Sequence, residues 1–226
     1  MRPHATTAVV IALLLALSAV AAVPSADARA PPTPVCGVCS LDRTAPDGTP
    51  VTAGDSTLTV SLHENGSTTW RANVELASGS DALAENESFR RAVVEEVTRR
   101  SVADPEAIYS RIDGETLIVR YRDTGATESP AGTIVFSPLS PEGPDVPFAM
   151  GGEGPRYLGT DRFTLRAPPG YELRGDANAA DGGRSLVWTR DGDERTFLDV
   201  TDDPVAVDSD AVGPGIRAWV ARLLVG

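Results

Sequence analysis

Residues 58–76 read Leu-Thr-Val-Ser-Leu-His-Glu-Asn-Gly-Ser-Thr-Thr-Trp-Arg-Ala-Asn-Val-Glu-Leu. Leu58, Val60 and Leu62 alternate with Thr59, Ser61 and His63, the period of a half-buried strand. Asn65-Gly66 then predicts a tight hairpin turn, because both residue types tolerate positive φ. Thr68 to Ala77 returns as the partner strand, with Trp70, Ala72, Val74 and Leu76 on one face.

The pattern repeats downstream. Leu83 to Arg100 predicts the main helix, with Phe89, Ala92, Val93 and Val97 on one face. Asn86 suits its N-cap, Glu87 its first turn, and Arg99 and Arg100 its last. A second hairpin runs from Ile108 to Ile112, turns at Asp113-Gly114 and returns over Glu115 to Asp123. On that return strand Leu117, Val119 and Tyr121 face one way, and Ile118, Arg120 and Arg122 the other. Further strands are expected at 133–136, 163–166, 171–173, 184–189 and 196–200, with an acidic loop from Asp176 to Gly183. Pro214 to Val225 reads as a short amphipathic helix clustering Ile216, Trp219, Val220, Leu223 and Leu224. Docking on the core is its expected role, with a lipid or partner surface as the sharper alternative. The fold class is therefore α+β: a β-rich antiparallel sheet, one main helix and a short C-terminal helix.

The expected organisation is a signal peptide over 1–28, a Pro-rich arm with a Cys pair over 29–54, an α+β domain over 55–210 and the C-terminal helix over 211–226. A split of the domain near 140–156, where Pro and Gly gather, is the alternative. The leader reading rests on Arg2, the apolar run Ala8–Val23 and the small residues Ala26-Asp27-Ala28. That run is shorter than the roughly 20 residues a bilayer core needs, so cleavage is expected over retention. Pro31, Pro32, Pro34, Pro46 and Pro50 give the arm its irregular look.

Twenty Arg, no Lys and 32 acidic residues give a net charge of −12. Such a surface suits concentrated salt, and it argues against nucleic acid or an anionic membrane as a general partner. Membrane contact is expected only through a retained leader or the C-terminal helix. No cofactor motif is present: Gly151-Gly152-Glu153-Gly154 lacks the lysine of a phosphate loop.

Cys36-Gly37-Val38-Cys39 can form a disulfide, ligate metal or exchange thiols, and a disulfide is the expected state. Once His4 leaves with the leader His63 is the only histidine left, so a closed zinc site would need the two cysteines, His63 and a carboxylate, or a dimer, and any metal stays unassigned. Asn65 and Asn86 lie in glycosylation sequons, at positions where a turn and a helix cap also favour Asn. The acidic groups Asp191–Glu194, Asp202-Asp203 and Asp208-Ser209-Asp210 could hold calcium, but none has EF-hand spacing and solvated turns are the simpler account. No nucleophile elbow or catalytic triad is apparent, and no catalytic residue is assigned.

The leader, the Cys36–Cys39 pair behind it, and the hairpin Leu58–Leu76 with His63-Glu64-Asn65-Gly66-Ser67 at its turn and Trp70 beyond resemble the exported surface proteins of haloarchaea. The resemblance covers about the first half of the chain. It implies a β-rich protein, secreted or on the outer face of the cell envelope, and carries no activity. The expected function is a non-enzymatic interaction or envelope role with an unknown surface partner. The alternatives are an extracellular carboxylate-dependent hydrolase and a membrane-tethered accessory or sensor subunit.

Overall fold

The computed structural model describes residues 32–102, 105–140, 156–192, 196–198 and 202–225. The leader 1–28, the Gly-rich stretch 151–154, and Asp193 and Glu194 lie outside them.

In chain order the strands are β1 (Thr33–Pro34), β2 (Asp42–Thr44), β3 (Pro50–Leu62) and β4 (Thr68–Ser78). Helices α1 (Ser80–Glu85) and α2 (Glu87–Arg99) follow. Then come β5 (Pro105–Asp113), β6 (Thr116–Asp123), β7 (Thr127–Glu128), β8 (Ile134–Phe136), β9 (Arg156–Tyr157), β10 (Arg162–Arg166), β11 (Tyr171–Arg174), β12 (Asn178–Ala180), β13 (Ser185–Thr189) and β14 (Val205–Asp208). Helix α3 spans Pro214–Val225.

The large sheet runs β12-β13-β10-β3-β4-β6-β5, with β2 pairing the start of β3. A smaller sheet runs β11-β14-β8-β7. The architecture is α+β, as the alternating patterns predict, but the sheets are mixed rather than antiparallel throughout. Strand β10 runs parallel to β3, and β1 parallel to β9. No local pattern encodes that pairing, because β10 reaches β3 from a hundred residues away. A bulge between Ala53 and Ser56 breaks the β3–β4 ladder, and the Ser56 N–H donates to Asp161 Oδ2 at 2.6 Å. Thr160 Oγ1 donates to the Ser56 carbonyl at 3.0 Å. These contacts hold the entry of β10 against β3.

The inward face carries the predicted residues. Leu58, Val60, Leu62, Trp70, Ala72, Val74, Leu117, Val119 and Tyr121 are all buried, joined by Phe163 and Leu165. Trp70 stacks on Tyr121 at 5.5 Å between ring centroids and meets Phe136 of the smaller sheet at 5.9 Å. Its indole N–H donates to Thr68 Oγ1, which donates to the Asp123 carbonyl, both at 2.8 Å. The aromatic cluster therefore joins the two sheets without an unpaired indole N–H.

Four sequence readings change. The Pro-rich segment is not an exposed arm: Val35, Cys36, Val38, Cys39, Leu41, Ala45 and Val51 are buried in the same core. Pro34 and Pro50 lie in paired strands rather than in a tether, since β1 pairs with β9 and β2 with the start of β3. The helix expected over 83–100 is two helices broken at Asn86, whose φ of −115° and ψ of 83° leave helical space. Asn86 Oδ1 then accepts the Phe89 N–H at 2.9 Å, the cap that the sequence suggested. In α2, Val94 rather than Ala92 joins Val93 and Val97 inside. The first hairpin loop is longer than a two-residue turn. His63 accepts from Gly66 N–H, only Gly66 takes positive φ (79°), and Asn65 Oδ1 instead accepts the N–H and hydroxyl of Ser67. Finally, of the strand expected at 196–200 the described residues 196–198 form a single bridge, from Phe197 to Tyr157, and 199–200 lie outside the described residues, while β14 lay unread in an acidic stretch.

Candidate functional site

The outward face of the large sheet is built in three rows that run across the strands. In the middle row Thr164, Thr59, Arg71, Arg120 and Tyr109 stand side by side on β10, β3, β4, β6 and β5. The row on one side is Arg162, Thr57, Asn73, Ile118 and Arg111. The row on the other side is Arg166, Ser61, Thr69, Arg122 and Glu106. Six arginines thus share one face with Ser, Thr and Asn, and Glu106 is the one carboxylate in the three rows. Between neighbouring strands these side chains stand about 4.8 Å apart, and along a strand about 7 Å. A groove of about 600 Å³ follows this face.

Tyr109 reaches the face through a bulge. Glu106 pairs with Arg122 and Tyr109 with Arg120, so β5 spends one residue more than β6 across that interval. Ala107 takes a φ of 49° to absorb it. Without the extra residue, strand alternation would turn Tyr109 inward. It stands 56% exposed, a large aromatic ring beside Arg120.

The arginines are only lightly engaged. Arg111 pairs with Asp113 at 2.8 Å. Arg71 Nε donates to Asn73 Oδ1 at 3.4 Å, and Arg122 to Ser67 Oγ at 3.3 Å. Arg120, Arg162 and Arg166 have no ion-pair partner among the described residues. Arg71 directly opposes Arg120, a like-charge cross-strand pair that disfavours folding. The arginines of α2 behave differently: Arg91, Arg99 and Arg100 each hold a glutamate one turn back.

The residues singled out by sequence lie elsewhere. Cys36 and Cys39 are disulfide-bonded, with Cα atoms 5.3 Å apart. Both are buried, so the bond staples a turn and offers no thiolate for exchange. Gly37 between them lies against α2; a Cβ there would stand 2.2 Å from the Val97 carbonyl oxygen. His63 Nε2 meets Thr69 Oγ1 at 2.8 Å, far in sequence from either cysteine. Asn65 and Asn86 are both exposed, the first in the hairpin loop and the second at the helix cap. Asp202 pairs with Arg222, and Asp208 Oδ1 accepts the Asp210 N–H. Among the described residues no group of three or more His, Cys, Asp or Glu is placed to hold a metal ion.

One buried cation has a structural role. Arg156 is 3% exposed and donates to the Ser101 carbonyl at 3.4 Å, just past the C-terminus of α2. Burial pulls its pKa down, while the carbonyl end of the helix favours its charge.

Sequence reading placed Arg120 and Arg122 outward but missed the site. The signal was the even spacing of arginines within strands, at 120 and 122 and at 162 and 166. Bringing those strands together required the parallel β3–β10 pairing. No family model matches the chain, and no curated protein matches it.

Proposed function

We propose that this is an exported, cell-surface protein that acts by binding, and that its ligand is an acidic polysaccharide laid across the open face of the large sheet. One observation carries the reading: a lysine-free chain of net charge −12 places six of its arginines on one sheet face, two of them directly opposed. Guanidinium groups match carboxylate and sulfate oxygens with paired hydrogen bonds, so they retain affinity in salt better than point charges do. The Ser, Thr and Asn side chains between them can bond hydroxyl groups. Tyr109 offers a flat platform for a sugar ring. The net charge of −12 repels phosphate and carboxylate polymers alike, so the hydroxyl-bonding Ser, Thr and Asn side chains, not charge, favour a polysaccharide over nucleic acid. Among the described residues the groove lining holds no carboxylate, His or Cys, and its Arg, Ser, Thr, Asn and Tyr side chains support binding. Export and an envelope setting rest on the leader and on the resemblance drawn from the sequence.

The direct test is titration of the protein with polygalacturonate, dextran sulfate, uncharged dextran and single-stranded DNA by calorimetry. Saturable binding of an acidic polysaccharide, with no response to dextran and weaker response to DNA, is expected. Preference for DNA, or equal heats for charged and uncharged glycans, would refute the proposal.

A further inference from the structure

Helix α3 is packed inside out. Its buried residues are Ala218 and Ala221, set against Val135, Val205 and Val207 of the smaller sheet. Its large apolar residues point the other way: Ile216 is 72% exposed, Trp219 60%, Leu223 67% and Leu224 63%. Positions 216, 219, 220, 223 and 224 fall on one stripe at helical spacing. A helix needed only to close the sheet would turn its leucines toward it. The expected core docking through Ile216, Trp219 and the leucines is therefore corrected: two alanines make the contact because they let the helix lie close, and the bulky face is left outside.

The charge pattern says what could cover that face. From Ala211 to Val225 there is no Asp or Glu, in a chain that carries 32 of them. Arg222 turns back to the body, donating to the Asp203 carbonyl at 2.8 Å and to Asp202 at 3.3 Å. Arg217 is exposed and has no ion-pair partner among the described residues. The outward side is thus apolar and cationic, with Trp219 at its middle.

We infer that α3 docks on an anionic lipid surface. Trp219, Leu223 and Leu224 enter the boundary between headgroups and acyl chains, and Arg217 meets the phosphates. In a face-to-face pairing of two copies, Arg217 would meet the same acid-free run, Ala211 to Val225, of the second helix. A soluble protein partner would be expected to meet a polar rim, and this stripe has none beyond Arg217. The apolar segment Ala8–Val23 carries no charge either, so it leaves Arg217 unanswered. Among these occupants, only the lipid surface supplies both an apolar interior and fixed anions.

The experiment is flotation of the full chain with phosphatidylglycerol or phosphatidylcholine vesicles, read together with tryptophan fluorescence. Binding to phosphatidylglycerol is expected, at least about fivefold weaker to phosphatidylcholine. Leu223→Ser with Leu224→Ser should weaken it about tenfold or more, since both residues are already exposed and their loss leaves the fold intact. Trp219→Phe should abolish the blue shift, because Trp70 is buried and Trp188 packs against Phe163 within the large sheet, away from α3. The pair Arg71→Thr and Arg120→Thr should leave flotation unchanged, which separates this surface from the groove. Undiminished binding by the leucine variant would assign binding to the apolar leader or another surface and overturn the inference. Absence of flotation, or a lipid-free dimer that shields Trp219, would overturn it as well.

Discussion

Arg71 and Arg120 stand directly opposite each other on β4 and β6, each exposed, with no carboxylate between them. Like charges so placed cost roughly 0.2–1 kcal/mol relative to neutral pairs. The chain has 32 acidic residues with which to relieve this, and α2 shows it doing so elsewhere. Under the proposed binding role the pair is a preformed anion site, held by a sheet whose opposite face carries the buried core.

That opposite face depends on close packing at Gly37. Gly37→Ala should destabilise the fold by about 1–3 kcal/mol, because the added Cβ meets the Val97 carbonyl and backbone must shift. Chemical denaturation of the oxidised protein gives the value. A change under about 0.5 kcal/mol would mean that the stapled turn does not press on α2.

Asp161 is expected to matter through the backbone more than through its ion pair. Asp161→Ala strands the Ser56 N–H at the bulge and should cost about 1–3 kcal/mol. Asp161→Asn keeps an acceptor there and loses chiefly the half-exposed pair with Arg190, worth under about 1 kcal/mol. Equal losses in the two variants would contradict this division.

Tyr121 sets an alkaline limit. Burial, reinforced by the Asp123 charge, holds its phenol well above the ordinary value of 10.0. The folded state therefore keeps a proton that the unfolded chain gives up. This contribution is fully present below about pH 10 and is lost as pH rises from there through the folded pKa. Denaturation midpoints measured from pH 8 to 12 should fall above pH 10. Tyr121→Phe should flatten that fall, and an unchanged profile in the variant would assign it to other groups.

The acidic surface should respond to salt. With −12 net charge and no lysine, self-repulsion is strongest in dilute buffer, and molar salt shortens the screening length to about 3 Å. The melting temperature should rise between dilute buffer and molar salt. A flat response would remove the argument that the composition is fitted to brine.

How far the sequence spoke differs from element to element. The β3–β4 and β5–β6 hairpins and the Asn86 cap were legible because each is decided by neighbours within a few residues. The fate of the Pro-rich segment was not, because Val35 to Val51 are too sparse to show a period and are buried by partners from α2 and β9. The inverted α3 was half legible: its stripe was plain, but which side met the protein depended on the smaller sheet. The arginine face was the least legible, since its rows cross five strands whose order includes a parallel pair. Arg162 and Arg166 could not be set beside Thr57 and Ser61, respectively, from local pattern alone.

The central claim is that Arg71 and Arg120 were placed for a ligand at the expense of stability. It is tested by the double variant Arg71→Thr with Arg120→Thr, measured for thermal melting and for affinity to the acidic polysaccharide under one buffer. The account predicts a melting temperature equal to or above that of the unaltered chain and an affinity at least about tenfold weaker. An unchanged affinity, whatever the melting temperature, would contradict it.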